Sequence, residues 1–134
     1  MEYALDEVHG LDSELQEKLK ALGITNTTIL IERARTHTGR KDLAAQLGIE
    51  IGLVTYFYNR ADLMRLNGVG KEMANLLEEC GVDSIKELRH RVPANLQAKL
   101  KEVNDQQKIT HHAPTLTQVE AWILQAKEFA VDAG

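Results

Sequence analysis

The sequence has few cysteines, prolines and aromatic residues, and each shortage excludes a class of protein. Its 134 residues include one cysteine, which excludes a disulfide framework and a cysteine-rich zinc site. The longest nearly apolar stretch, Leu53 to Tyr58, is far shorter than the roughly 20 residues that cross a bilayer, so no membrane span is expected. The first ten residues are acidic and contain no apolar run, which predicts a mature, cytoplasmic protein with a reduced thiol.

The net charge is small and negative, but it is unevenly spread along the chain. Sixteen Lys and Arg against twenty Asp and Glu give −4, which excludes a polycation that coats nucleic acid. Residues 33–101 contain twelve Lys and Arg against eight acids, a net of +4, whereas the two ends together contain four Lys against twelve acids, a net of −8. Any contact with nucleic acid must therefore be local, although charge clusters of this kind are more often solvated helix faces.

The chain is predicted to be almost entirely helical. Two prolines, 4% aromatic residues and the absence of long β-branched runs disfavour sheet, whereas Ala, Leu, Glu, Lys and Gln recur at helical spacing. Glycine, proline and capping residues divide this pattern into eight segments. The predicted helices are Ser13–Leu22, Asn26–Arg35, Arg40–Leu47, Ile51–Leu66, Lys71–Cys80, Asp83–Arg91, Pro93–Asn104 and Thr117–Ala130.

The sequence also aligns with itself. With an offset of 58 residues, segment 8–11 aligns with segment 66–69, and the order of small, apolar and polar residues is preserved. Further along the chain the offset grows to 65, which pairs Phe57 with Trp122, and the seven added residues fit a longer loop around 110–114. This pattern predicts two copies of one helical unit.

The most informative stretch is 66–82, where two glycines flank one apolar residue. Gly68 is expected to adopt a positive φ that turns the chain out of one helix, Val69 to fill the core, and Gly70 to leave space where the next helix begins. The unpaired amides at that helix start would form an anion site, to which Lys71 adds a mobile positive charge. A phosphate would fit such a site.

This stretch resembles the helix-hairpin-helix motif, which in many relatives holds the DNA phosphate backbone at the minor groove without reading sequence. More broadly, Thr38–Ala44, Asn59–Gly70 and Asn95–Leu100 are similar to an uncharacterised prokaryotic family of tandem helix-hairpin-helix domains, catalogued only as a domain of unknown function. The resemblance extends from about Val8 to Phe129. It implies a fold and brings no settled activity with it.

We therefore expect an all-α domain of two fused helix-hairpin-helix-like units in a SAM-like helical bundle, with the units near 1–63 and 64–134. Neither unit alone is expected to bury enough apolar surface to be stable. The first unit departs from the motif, because Asp12 stands where the second glycine of the hairpin would be. Its carboxylate would cap the helix that begins at Ser13 but repel a phosphate, so the first hairpin is predicted to be structural.

The leading functional interpretation is a non-catalytic module that binds nucleic-acid backbone, DNA or another nucleic acid, without sequence specificity. The predicted site consists of the second hairpin and three flanking cations: Gly68, Val69, Gly70, Lys71, Arg91, Lys99 and Lys101. No enzyme and no cofactor are expected, because no catalytic triad order, phosphate-binding Walker loop or paired-carboxylate motif is present. A metal site is not expected either, since the adjacent His111 and His112 lack ligand spacing.

The alternative interpretation is a protein–protein interaction adaptor built on the same scaffold. Tyr56 and Tyr58 flank Phe57, so at least one tyrosine is expected to face solvent, where it would anchor a protein or stack on a base. A role in closing the seam between the two units is slightly favoured over either. Segment 42–57 has the spacing of a helix-turn-helix, but residues 50–53 offer no side chain that reads base edges, which favours a packing role.

Overall fold

The computed structural model describes residues 2–129, and within them it is all-α, which confirms the predicted fold class. The helices are α1 (Ser13–Ala21), α2 (Thr27–Arg33), α3 (His37–Leu47), α4 (Ile51–Leu63), α5 (Lys71–Glu79), α6 (Ile85–Leu88), α7 (Pro93–Gln107) and α8 (Leu116–Glu128). Leu5–Glu7 form a 3₁₀ turn, and Ala4 pairs with Asn26 in an isolated antiparallel bridge. No helix within residues 2–129 combines the length and the apolar character that a membrane crossing requires.

Local capping sets the helix starts and explains where they differ from prediction. α2 begins after Asn26, because the Asn26 side chain accepts a hydrogen bond from the Ile29 amide and serves as the N-cap. α3 begins earlier than predicted, because Thr36 caps it in the same way through the Gly39 amide. The predicted helix 83–91 is reduced to the single turn of α6.

Three predicted helix ends also need comment. The chain leaves α4 after Leu63, three residues before the predicted end, and turns directly toward the second hairpin. α7 continues past Asn104 and stops at Lys108, which has a left-handed φ of +54°. The predicted end of the last helix, Ala130, lies outside the described residues.

The first half of the chain encloses one hydrophobic core. α3 packs against α4, α2 packs against both of them, and α1 packs against α3. The buried side chains of this core come from residues 5–61 and include Leu19, Leu30 and Phe57. Each helix contributes an apolar stripe, which is the arrangement that its 3.6-residue periodicity predicts.

The second half encloses a separate core with corresponding helix pairs. α7 packs against α8, α6 against α8, and α5 against α7. Its buried side chains come from residues 63–126 and include Leu77, Leu100 and Trp122. These are the pairs that result when each helix of the first half is replaced by the helix four places further along the chain.

A polar seam joins the two cores. The Arg60 side chain is fully buried and makes an ion pair with Glu78 at 2.9 Å. It also donates to the Ala74 carbonyl oxygen at 3.2 Å and to the Asn75 side chain. The Tyr56 hydroxyl donates to Glu78 at 3.2 Å. Burial raises the pKa of Tyr56, with Arg60 acting in the opposite direction, so the phenol is held in its neutral, hydrogen-bonding form.

The N-terminal segment forms a second link between the cores. The Tyr3 amide donates to the Thr27 hydroxyl at 2.8 Å, and the Thr27 amide donates to the Tyr3 carbonyl oxygen at 2.9 Å. The Tyr3 side chain instead packs against the second core. The backbone of this residue is therefore fixed by the first half and its ring by the second.

The loop geometry of the two halves repeats with the 58-residue offset found in the sequence. The Ile24 amide donates to the Leu19 carbonyl oxygen over 2.9 Å, and the Val82 amide donates to the Leu77 carbonyl oxygen over the same distance. The same offset relates the bonds that close the two hairpins, from Leu11 to Val8 at 3.2 Å and from Val69 to Leu66 at 3.1 Å.

Candidate functional site

The turn before α5 has the backbone conformation that its glycines predict. Gly68 adopts a φ of +87°, which residues with a Cβ atom rarely adopt. The Val69 side chain is fully buried in the second core. Gly70 is extended and immediately precedes α5. The conformations and burial expected for these residues are therefore present, while their contact with nucleic acid stays a prediction.

Neighbouring elements hold this turn through its backbone. The Trp122 indole N–H of α8 donates to the Asn67 carbonyl oxygen at 2.7 Å, and the Asn67 amide donates to the Gln125 side chain at 3.2 Å. On the other side, the Tyr3 hydroxyl donates to the Val69 carbonyl oxygen at 3.4 Å. Two carbonyls of the turn thus already accept hydrogen bonds from within the protein.

The amide groups at the start of α5 are, by contrast, unused. Gly70 has no side chain to cap the helix, and the amides of Lys71, Glu72 and Met73 donate to no group among residues 2–129. Five other helices, α1, α2, α3, α6 and α8, are capped by a side chain of the preceding residue. Free donors at a helix N-terminus, together with the helix dipole, favour an anion.

These amides face an open cleft of about 560 Å³. Lys71 lies exposed at its edge, and two carboxylates, Glu7 and Glu72, also border it. The full lining is Tyr3, Glu7, Gly68, Gly70, Lys71, Glu72, Met73, Thr110, His111 and His112. The cleft therefore combines one fixed positive charge, two negative charges and several ring side chains.

Sequence reasoning missed four of these residues: Tyr3, Thr110, His111 and His112. Tyr3 reaches the hairpin across 66 residues of chain, a contact that no local pattern indicates. The histidine pair was considered only as a metal site, and within residues 2–129 no group of three or more potential ligands is placed to hold a metal ion. The signal that could have found this loop is the growth of the internal offset from 58 to 65 residues, which marks an insertion.

The three predicted flanking cations lie away from the hairpin. Arg91 donates to the Cys80 carbonyl oxygen at 3.4 Å and pairs with Glu87 at 3.7 Å. Burial raises the pKa of the Cys80 thiol, and the positive charges of Lys99 and Arg91 oppose that rise, which places both near Cys80. Cys80 follows the last residue of α5, a helix about 13 Å long at 1.5 Å per residue. These cations are thus at the opposite end of α5 from the free amides.

Lys101 is engaged on the surface of α7. Its ammonium pairs with Asp105 at 3.1 Å, and both side chains are exposed. Lys99 and Lys101 are two residues apart, so they project from different sides of the helix. The structure therefore brings together only the hairpin residues and Lys71 out of the seven predicted site residues.

The tyrosine cluster is part of the polar seam. Tyr58 is buried with the Arg40 guanidinium 5.5 Å from its ring centre, and Tyr56 is half-buried against Glu78. The expectation that at least one of these tyrosines is exposed is wrong, because both rings are needed to fill space around α4. The slightly favoured interpretation, a role at the seam, agrees with the position of Tyr56.

The first hairpin has the capped helix start that Asp12 predicts. Gly10 adopts a φ of +89°, and the Asp12 carboxylate accepts a hydrogen bond from the Leu15 amide at 2.9 Å. A carboxylate in this position stabilises α1 and places a negative charge where an anion would approach.

One family model matches most of the chain. It is described as Domain of unknown function (DUF4332) and matches residues 9–129. No curated protein and no solved structure matches the chain.

Proposed function

The chain belongs to the DUF4332 family, and from its site we propose that it is a non-catalytic module that binds nucleic-acid backbone without sequence specificity. The observation that carries the proposal is the uncapped start of α5, whose free amides face an open cleft beside Lys71. Donor groups without acceptors suit a phosphate, which offers acceptor oxygens only.

We also infer that the two halves are tandem helix-hairpin-helix units. Supporting this are the corresponding helix pairs of the two cores and the backbone bonds that recur 58 residues apart. A hairpin turn followed by a helix is the element that such units use against phosphates. Only the second unit keeps both hairpin glycines, so we assign the binding role to Gly68, Val69, Gly70 and Lys71.

Arg91, Lys99 and Lys101 have a secondary role in this proposal. α5 is about 13 Å long, which corresponds to roughly four phosphates at 3.4 Å per nucleotide along one strand. A strand that follows α5 from the hairpin would therefore reach these cations. Because Arg91 and Lys101 already have carboxylate partners, we expect each to contribute less than Lys71.

The test is a titration of fluorescently labelled single-stranded and duplex oligonucleotides at low and moderate salt, followed by anisotropy. We expect Lys71→Glu to weaken binding about tenfold and to reduce the salt slope by about one ion. The matched control is Lys41→Glu on α3, an exposed lysine with the same charge change outside the cleft. Absence of binding at low salt, or equal effects of the two substitutions, would contradict the proposal.

A protein–protein adaptor is the second candidate, and one surface favours it. Leu124 on α8 is 62% exposed and lines a shallow groove of about 360 Å³ with Asn67, Ala121 and Gln125. An exposed leucine beside a groove is a common anchor point for a partner. A pull-down from lysate with and without nuclease distinguishes the candidates: partners lost with nuclease support nucleic-acid binding, and partners retained by wild type but lost with Leu124→Lys support the adaptor.

A further inference from the structure

The second half departs from the first at two places, and both face the same cleft. Gly70 stands where the first half has the capping Asp12. The connection from α7 to α8 covers residues 108–115, whereas the connection from α3 to α4 covers only 48–50. The longer connection supplies one side of the cleft and Gly70 lies on another. The loss of a cap and the gain of a wall therefore coincide in space.

The added wall is a fixed loop. The Asn104 side chain, only 6% exposed, donates to the Thr110 carbonyl oxygen at 3.1 Å and accepts from the Thr110 amide at 2.8 Å. The Gln97 side chain donates to the Pro114 carbonyl oxygen at 3.2 Å, and the Thr110 hydroxyl donates to the His112 carbonyl oxygen at 2.8 Å. A loop held at both ends presents its side chains in a set position, which lowers the entropic cost of binding.

The side chains that this loop presents are rings. The imidazoles of His111 and His112 are exposed and lie edge to face with centroids 4.8 Å apart. Tyr3, half-buried, lines the same cleft. Unpaired bases stack on tyrosine and histidine rings, whereas the bases of a duplex are already stacked on one another.

We infer that this cleft binds an unpaired nucleotide of a single strand, a substrate class that rests on the proposed backbone-binding function. One phosphate binds Lys71 and the free amides of α5, and the attached base stacks on His111 or His112. Glu7 and Glu72 border the cleft and disfavour a second phosphate inside it. The adjacent phosphates therefore remain outside, and the cleft is occupied by one nucleotide.

The test compares four labelled probes of one sequence by anisotropy: single-stranded DNA, single-stranded RNA, duplex DNA and a single strand of abasic DNA. The full chain is measured alongside His111→Ala/His112→Ala, with His37→Ala/His90→Ala as the matched control, because these two histidines are also exposed but lie outside the cleft. Circular dichroism of each variant checks that the fold is retained.

We expect at least one single-stranded probe to bind about tenfold more tightly than the duplex. The His111→Ala/His112→Ala variant should lose about tenfold in affinity for that probe and none for the abasic strand. Equal binding of duplex and single strands, or equal effects of the two double variants, would overturn the inference and leave the proposed function standing. Absence of binding to every probe would overturn both.

Discussion

The two hairpins of this chain follow the same path and differ in what they leave available. Gly10 and Gly68 have φ values of +89° and +87°, and each is followed by a buried apolar residue. Asp12 then closes the start of α1, whereas Gly70 leaves the start of α5 open. The turning glycine is thus a requirement of the fold, while the second glycine decides whether the helix amides can meet a ligand.

The surroundings of the hairpins differ in the same sense. Beside Gly10 lie the Phe57 and Tyr56 rings of α4, at 3.3 and 3.8 Å from the position of an added Cβ atom. Gly68 faces the Trp122 indole nitrogen at the looser distance of 3.9 Å, and the 108–115 loop borders its cleft. One hairpin is packed shut and the other is framed. The predictions that follow are ways to remove or reverse this difference.

The largest effect is expected from Trp122, which fills the second core and holds the Asn67 carbonyl. Trp122→Ala should lower the free energy of unfolding by about 3–5 kcal/mol, since it leaves a large cavity. Trp122→Phe copies the residue of the first half and should cost less, although it removes the hydrogen bond. Urea denaturation followed by circular dichroism measures both, and an equal loss for the two variants would contradict the view that cavity formation dominates.

The turning glycines should be costly to replace, and unequally so. Gly68→Ala is expected to cost about 1–2 kcal/mol, because alanine is strained at positive φ. Gly10→Ala should cost more than this, because its Cβ would also lie 3.3 Å from Phe57. The same denaturation experiment compares them, and a greater loss at Gly68 would show that the first hairpin is not the tighter one.

Exchanging the capping residues should move stability and binding in different ways. Asp12→Ala should lower the free energy of unfolding by about 1 kcal/mol, because the Leu15 amide loses its acceptor. Gly70→Asp should change stability by only a few tenths of a kcal/mol and weaken oligonucleotide binding about tenfold.

Asp12→Gly completes this exchange. It opens the first hairpin but should create no binding site, because the short 48–50 connection provides no second wall. Anisotropy with the same oligonucleotides measures all three variants. New binding by a chain that carries both Asp12→Gly and Gly70→Asp would show that the open helix start is sufficient.

The smallest effect concerns the chemistry of Cys80. Its thiol is buried and burial raises its pKa, so little reactive thiolate forms near neutral pH. We expect a thiol reagent such as iodoacetamide to modify the folded protein slowly and the urea-unfolded protein at the rate of a free cysteine. Rapid modification of the folded protein would show that the second core opens locally.

The helices were predictable because their signals are local. Apolar stripes, glycine stops and the proline before α7 are each visible within a few residues, and all eight helices are present. The boundaries shifted where a side chain, such as Thr36 or Asn26, captures an amide. Capping residues are recognisable in sequence, but which one is used depends on the path of the preceding loop.

The candidate site was only partly predictable because half of it is assembled by tertiary contacts. The hairpin glycines and Lys71 are adjacent in sequence and could be read directly. Tyr3 reaches the hairpin only because the N-terminal segment pairs with the loop before α2. Arg91 carries the right charge for a phosphate but is used to hold the end of α5, and charge alone does not reveal that use.

The contact between Tyr3 and Val69 has a consequence for how the chain is made. Tyr3 is synthesised 66 residues before Val69. At a translation rate of about 5–20 residues per second, the tyrosine waits roughly 3–13 s for its acceptor to be made. During that interval the first core can form around α1 to α4, while the Tyr3 ring has nothing to pack against. Arrival of the second hairpin then completes the link, so ribosomal order makes the first unit the template on which the second one docks.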